Sequence, residues 1–176
     1  VVSQKKIDKL LNGAEKAGRY IGGEINSIVK DTGVACRIAL AFPDVYEVAE
    51  SHLGCKILYH VVNQVEEYAA ERVYAMWPDM EVKARQAKIP LWSLETHRPL
   101  SAFDVVGFSL QYELSYPTLV GMLEHGKVTV RSSHRREHDQ MSLLGARALT
   151  IQNRLLHLSM PFFLVMVRKL FWILWR

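Results

Sequence analysis

The chain has 176 residues, 49% of them apolar and 23% charged, with only two cysteines, Cys36 and Cys55. That composition excludes a disordered chain and a disulfide framework. The net charge of +4 is unevenly placed: residues 141–176 hold five basic residues and no Asp or Glu, leaving 17 basic and 18 acidic residues in 1–140. A body so nearly neutral offers no electrostatic footprint for nucleic acid. The N-terminal VVSQKKIDKLL has no apolar signal-peptide core, so a cytoplasmic location is expected.

In chain order, residues 3–12 predict a short amphipathic helix with Ile7, Leu10 and Leu11 on one face. The glycine-punctuated AGRYIGGEINSI predicts irregular chain. CRIALAF, residues 36–42, predicts a buried strand ended by Pro43. A loop over 43–54 follows, then a helix over 55–67 with Ile57, Leu58, Val61, Val62 and Val65 inward. Residues 72–76 predict a strand closed by Trp77 and Pro78, and Asp79 an N-cap for a helix over 80–88. A short strand over 89–94 is expected, and DVVGFSL, residues 104–110, predicts a second strongly apolar strand. A helix over 115–124 carries Pro117 in its first turn and Gly126 as its C-cap, with another short strand over 128–130.

Strands alternating with helices imply a parallel sheet wound by right-handed crossovers. Ligands of such sheets sit in the loops beyond the carboxyl ends of the strands. Here those loops are 43–54 and 111–115.

At these loops the chain resembles a known family. The ordered segments RYIGGEINSI, ALAFPDVYEVAESHLGCKILYHVVNQ, ERVYAMWPDME and FDVVGFSLQYELSYPTLVGML resemble the N-terminal region of radical-SAM proteins that carry a cobalamin-binding-like domain ahead of the barrel. The likeness spans roughly residues 18–136. Ala17 and the Ala49-Glu50 pair depart from the family pattern, which favours Pro and Gly-Met there. The resemblance implies an α/β, Rossmann-like parallel sheet of the flavodoxin or cobalamin-binding type, left incomplete. It also implies a following radical-SAM barrel whose C-x-x-x-C-x-x-C triplet holds a [4Fe–4S] cluster that cleaves S-adenosylmethionine. That triplet does not occur in this chain. The expected organisation is an extension over 1–34, a partial cobalamin-binding-like domain over 35–140, and a tail over 141–176.

The tail predicts an out-of-frame product. Back-translated with a two-base shift, residues 145–155 permit GPCPNNPEPL and residues 165–169 permit GDGEE, the segments expected next in the family. A shifted frame also accounts for the loss of every acidic residue there. The apolar end of the tail invites a membrane reading, but Arg168 and Lys169 interrupt it and leave no run long enough to span.

Nine residues are candidates for cofactor contact. His52, within Glu50-Ser51-His52-Leu53-Gly54, resembles the D-x-H-x-x-G axial-ligand pattern of cobalamin domains but is one residue short; its plain alternative is a helix cap. Asp44, Tyr46, Glu47 and Gly54 share that loop, where Asp44 and Glu47 are equally suited to capping and Tyr46 to packing. Gln111, Tyr112, Glu113 and Ser115 form a polar cluster after the second strong strand, with Ser115 also suited to capping the next helix. Arg19 is placed to meet an anion or to pack in a turn. Both cysteines are expected to behave as small buried residues, and no catalytic or metal-ligating residue is expected. The function implied is the cofactor-presenting front end of a radical-SAM protein, lacking its catalytic barrel and inactive alone, with weak or lost cobalamin binding. The alternative is a stand-alone α/β ligand-binding or regulatory module; Asp44 follows the first strand as a phospho-acceptor would, but the usual acidic pair and Lys are missing. The expected partner is the barrel, with neither nucleic acid nor membrane.

Overall fold

The computed structural model describes residues 1–30, 33–130 and, for its backbone, 141–144. Four parallel strands form one sheet in the order β2-β1-β3-β4, with β1 Cys36–Phe42, β2 Tyr68–Tyr74, β3 Val105–Phe108 and β4 Met141–Leu144. The two strongly apolar segments therefore lie at the centre, as expected, and the incomplete α/β Rossmann-like sheet is what the chain builds. β4 falls beyond residue 140, within the expected tail; the rest of that tail, 145–176, lies outside the described residues, and so do the shifted-frame segments.

The central strands are apolar on both sides because both are covered. On one side Ala39, Ala41, Val73, Val106 and Phe108 pack with Leu119, Met122 and Leu123 of α6 (Tyr116–His125). On the other, Ile38 and Ala70 pack with Tyr59 and Val62 of α4 (Leu53–Gln64). The inward face of α4 differs from the expected one. Cys55, Tyr59, Val62 and Asn63 are buried, while Ile57 and Leu58 are exposed. Asn63 takes an inward position because its amide donates to the Ala70 carbonyl and accepts from the Ala70 N–H, both at 3.0 Å. A polar residue thus directs the helix face by pairing with strand backbone, which apolar periodicity does not register.

Several boundaries also move. The irregular stretch near Gly18 contains a one-turn helix, α2 (Gly18–Ile21), and the loop after β1 contains α3 (Tyr46–Ser51). β2 begins four residues earlier than the expected 72, with Glu71, left outside the expected strand, buried inside it beside Arg72. Asp79 is not the N-cap of α5 (Pro78–Gln86); Trp77 holds that position, and Asp79 instead accepts the Glu15 N–H at 3.2 Å. The first helix, α1 (Gln4–Leu11), buries Ile7 and Leu10 against Met80, Ala84 and Trp92.

Residues 89–94 form no strand. They run beside β2 as extended chain with one bridge, Trp92 to Pro99. The Leu94 N–H donates to the Arg72 carbonyl at 2.9 Å, and the Glu95 carboxylate takes the Arg72 N–H at 2.7 Å. An edge strand needs such cover against open-ended pairing. Gly22 lies against the same segment with φ 71°; a Cβ there would stand 2.1 Å from the Leu94 carbonyl oxygen, so only glycine fits. Residues 128–130 likewise form no strand, although Val128 is buried.

Candidate functional site

The order β2-β1-β3-β4 reverses direction between β1 and β3, and the carboxyl ends of these strands flank the crevice where ligands of doubly wound sheets bind. Pro43 stops β1, and the turn after it is tied down at once. The Asp44 N–H donates to the Phe42 carbonyl at 2.9 Å, and the Asp44 carbonyl accepts from Ala75, just past β2, at 3.0 Å. Below this turn lies a cavity of about 450 Å³, lined among others by Asp44, Met76, Tyr112, Ser115, Thr118 and His125. Its size suits a small organic ligand.

Of the nine candidates, Asp44, Tyr112 and Ser115 line this cavity. Asp44 does not cap α3, whose N-cap is Val45; its Oδ1 accepts the Val45 N–H at 2.7 Å. Ser115 stands at the N-cap of α6 and is 5% exposed, but its hydroxyl makes no cap bond. Tyr112 is half exposed, and Glu113 faces solvent.

His52 and Gln111 meet each other. The His52 Nδ1 accepts the Cys55 N–H at 3.2 Å and so caps α4, while its Nε2 lies 2.9 Å from the Gln111 side-chain amide. The Gln111 atom at that distance is its side-chain nitrogen, so both ring nitrogens are engaged within the chain. The ring also packs 5.1 Å from Phe42, and a Cβ on Gly54 would come within 2.9 Å of it. A second link joins the same loops: the Cys55 thiol donates to the Ser109 hydroxyl at 3.3 Å. Burial pushes that thiol above its ordinary range, which keeps it protonated.

Tyr46 and Glu47 turn toward the N-terminal segment. The Tyr46 hydroxyl donates to Glu24 at 3.2 Å, and burial with the nearby Glu24 carboxylate pushes it up to about 12. Glu47 pairs with Arg19 at 2.7 Å, and that guanidinium holds its carboxyl below the usual range. Arg19, 6% exposed and stacked over Trp77, thus meets an anion supplied by the chain itself.

Sequence reading missed a buried charge cluster around Arg72. Its guanidinium reaches Glu95 and Glu50 at 2.6 Å and Glu24 at 3.0 Å, and it lies over the Tyr59 ring. The Tyr74 hydroxyl donates to Glu50 at 2.8 Å. Across the sheet, the neighbouring Glu71 is 2% exposed and accepts from Ser93 at 2.6 Å and Thr96 at 2.7 Å. The segment SLETHR thereby clasps both faces of β2. The only hint in the sequence is a charged pair beside Val73 and Tyr74.

Neither implied cofactor finds its ligands ready. Both nitrogens of His52 are engaged, so the arrangement does not fit an axial imidazole. Cys36 opens β1 and Cys55 lies past its far end; a seven-residue strand separates them by roughly 20 Å at about 3.3 Å per residue. Two thiols so placed cannot share a cluster. Among the described residues, no group of three or more His, Cys, Asp or Glu is arranged to hold a metal ion, and no helix is long and apolar enough to cross a membrane.

Comparison with curated proteins and with solved structures returned no match. The family described as "Radical SAM proteins, N-terminal" matches residues 54–164. That span covers α4 through β4 and well over half of the chain, and with it the chain belongs to the radical-SAM proteins, as a representative of their N-terminal region.

Proposed function

We propose that this chain is the cofactor-presenting domain of a radical-SAM protein, holding an organic ligand at the carboxyl edge of its sheet for a barrel encoded elsewhere in the intact protein. The observation that carries this reading is the 450 Å³ cavity among the loops after β1, β2 and β3, lined by three residues singled out from sequence. Asp44, Tyr112 and Ser115 are the contacts proposed. His52, Gln111 and Gly54 shape the crevice wall, and Tyr46 and Glu47 brace the β1 loop against the N-terminal segment. In the intact protein a barrel supplies the [4Fe–4S] cluster and binds S-adenosylmethionine; this domain supplies neither. Cytoplasmic location belongs to the same proposal.

Native mass spectrometry tests it. The chain is incubated separately with hydroxocobalamin, S-adenosylmethionine and FMN, beside a Thr118→Trp variant that fills the cavity. A one-to-one adduct with at least one compound, lost in the variant, is expected. No adduct with any of them, or one indifferent to Thr118→Trp, refutes the reading.

We further propose that residues after about Asp139 are read out of frame, on the strength of their missing acidic residues. The family match to residue 164 and the pairing of β4 weigh the other way for the first part of that segment. The coding DNA decides: a shifted frame continuing into a C-x-x-x-C-x-x-C triplet is expected, and an uninterrupted frame without it refutes the proposal.

A further inference from the structure

We infer that the cavity under α6 is built for an uncharged or cationic group that donates hydrogen bonds, such as a carboxamide or an amine, and that a ligand also bearing a phosphate or carboxylate keeps that group outside it. The inference rests on the proposal that this cavity is the ligand site, and it adds the chemistry the ligand must have.

The charged side chains of the lining are acidic. Two carboxylates, Asp44 and Glu81, border the cavity, and no Lys or Arg lines it among the described residues. Arg85 stands nearby, but its guanidinium is held at 2.7 Å by Glu81 and also donates to the Gly121 carbonyl at 3.3 Å. Asp44 has no cationic partner among its described bonds and stands at the rim. Its only described side-chain bond is the one from the Val45 N–H.

Two deeply buried side chains add to this. His125 is 8% exposed, and its Nε2 lies 3.0 Å from the Ile89 carbonyl oxygen. A carbonyl only accepts, so the proton sits on Nε2 and Nδ1 carries a free lone pair. Burial lowers the basicity of this ring, which keeps it neutral. Ser115, 5% exposed, has a hydroxyl that caps nothing and is able to accept or donate. Both residues line the cavity, so a ligand with a hydrogen to donate can reach the Ser115 hydroxyl and the His125 lone pair.

The opposing feature is the start of α6, whose ten-residue backbone directs a positive dipole end at the cavity. That end is equivalent to roughly half an elementary charge, and Pro117 in the first turn removes one of its N–H donors. The Asp44 carboxylate opposes that dipole end from the rim without a cationic partner among its described bonds, so the local field disfavours anions. A larger hollow of about 820 Å³ lies beside Arg72, but Arg72, Glu24, Glu50 and Lys56 there are paired with one another. Its charged groups are therefore already engaged within the fold.

The test uses a matched pair of probes, nicotinamide and nicotinate, which share a ring and differ in carboxamide against carboxylate. Each is titrated at millimolar concentration into the full ¹⁵N-labelled chain. Nicotinamide is expected to shift the amides of 75–76, 112–116 and 118 in a saturable way, with nicotinate at least tenfold weaker. Asp44→Asn, with an unchanged melting temperature, should narrow that ratio to about threefold or less. Equal or tighter binding of nicotinate overturns the chemistry while leaving the cavity as a ligand site. Failure of both probes to move those amides overturns the site itself, and the inference with it.

Discussion

Replacing Arg72 with Leu should destabilise the chain far more than the loss of one surface ion pair. The guanidinium is 6% exposed and serves three carboxylates at once. Glu24 and Glu50 keep about a fifth of their side-chain surface in water and can rehydrate, whereas the Glu95 side chain is fully buried. The cost therefore comes mainly from Glu95, left as an uncompensated buried charge, and amounts to about 3–5 kcal/mol. For a chain of this length that is a fall in melting temperature of roughly 6–20 °C.

Changing Glu95 to Gln in the same molecule removes the stranded charge while its amide oxygen still accepts the Arg72 backbone N–H, so the double variant should lose only about 1–2 kcal/mol. The pH dependence follows. Burial pushes the Glu95 carboxyl up and the Arg72 guanidinium opposes that rise. Without Arg72 the folded state holds a proton on Glu95 more tightly than the unfolded state does. Stability of Arg72→Leu is then greatest below the usual carboxylate value of about 4.3 and declines as pH rises through the raised folded value. Urea unfolding of single and double variants, followed by tryptophan fluorescence between pH 4 and 8, measures all of this. A loss under about 1 kcal/mol, with no recovery in the double variant, would show that the cluster behaves as a screened surface pair.

His52→Ala should cost about 0.5–2 kcal/mol through loss of the α4 cap, and His52→Asn should recover most of it; equal losses in urea melts would show that the ring matters only by packing on Phe42. Gly22→Ala combines a positive φ with a Cβ 2.1 Å from the Leu94 oxygen, so a loss of about 2 kcal/mol or more is expected, and a neutral thermal melt would contradict the tie between the N-terminal segment and the β2 edge. Cys55 should react with an aromatic disulfide at pH 7 more slowly than a free cysteine peptide, because burial raises its thiol and the thiolate is the reacting form; rapid labelling of the native state would contradict its placement. Anaerobic reconstitution with iron and sulfide should give neither a stoichiometric cluster nor 5′-deoxyadenosine from S-adenosylmethionine, and either product would overturn the reading of Cys36 and Cys55.

What the sequence made legible follows from where its signals are strongest. CRIALAF and DVVGFSL are apolar at consecutive positions, which only a strand covered on both faces tolerates, and they proved to be the central pair. β2 was blurred because Glu71 and Arg72 sit in its middle. A charged pair hides how far a strand extends unless its partners are known, and those partners, Glu24, Glu50, Ser93, Glu95 and Thr96, lie about 20 to 50 positions away in the chain. The face of α4 was misread for a related reason: Asn63 looks outward by hydropathy, yet it is drawn inward by two bonds to Ala70.

The site divides along the same line. Loop position alone brought Asp44, Tyr112 and Ser115 to the cavity, because strand order fixes where the carboxyl ends converge. It could not separate a residue that faces a ligand from one that faces its own chain. Glu47 is spent on Arg19, Tyr46 on Glu24, and His52 on Cys55 and Gln111. Each of those pairings is a contact between segments that periodicity treats as independent. The same pairings decide the chemistry left over. Once Arg19, Arg72 and Arg85 are occupied by carboxylates of the fold, no cation remains among the described lining residues to face the cavity, and Asp44 is left there without a cationic partner among its described bonds. The ligand preference of the crevice therefore follows from which charges the fold consumes in holding its own edge strand and N-terminal segment in place.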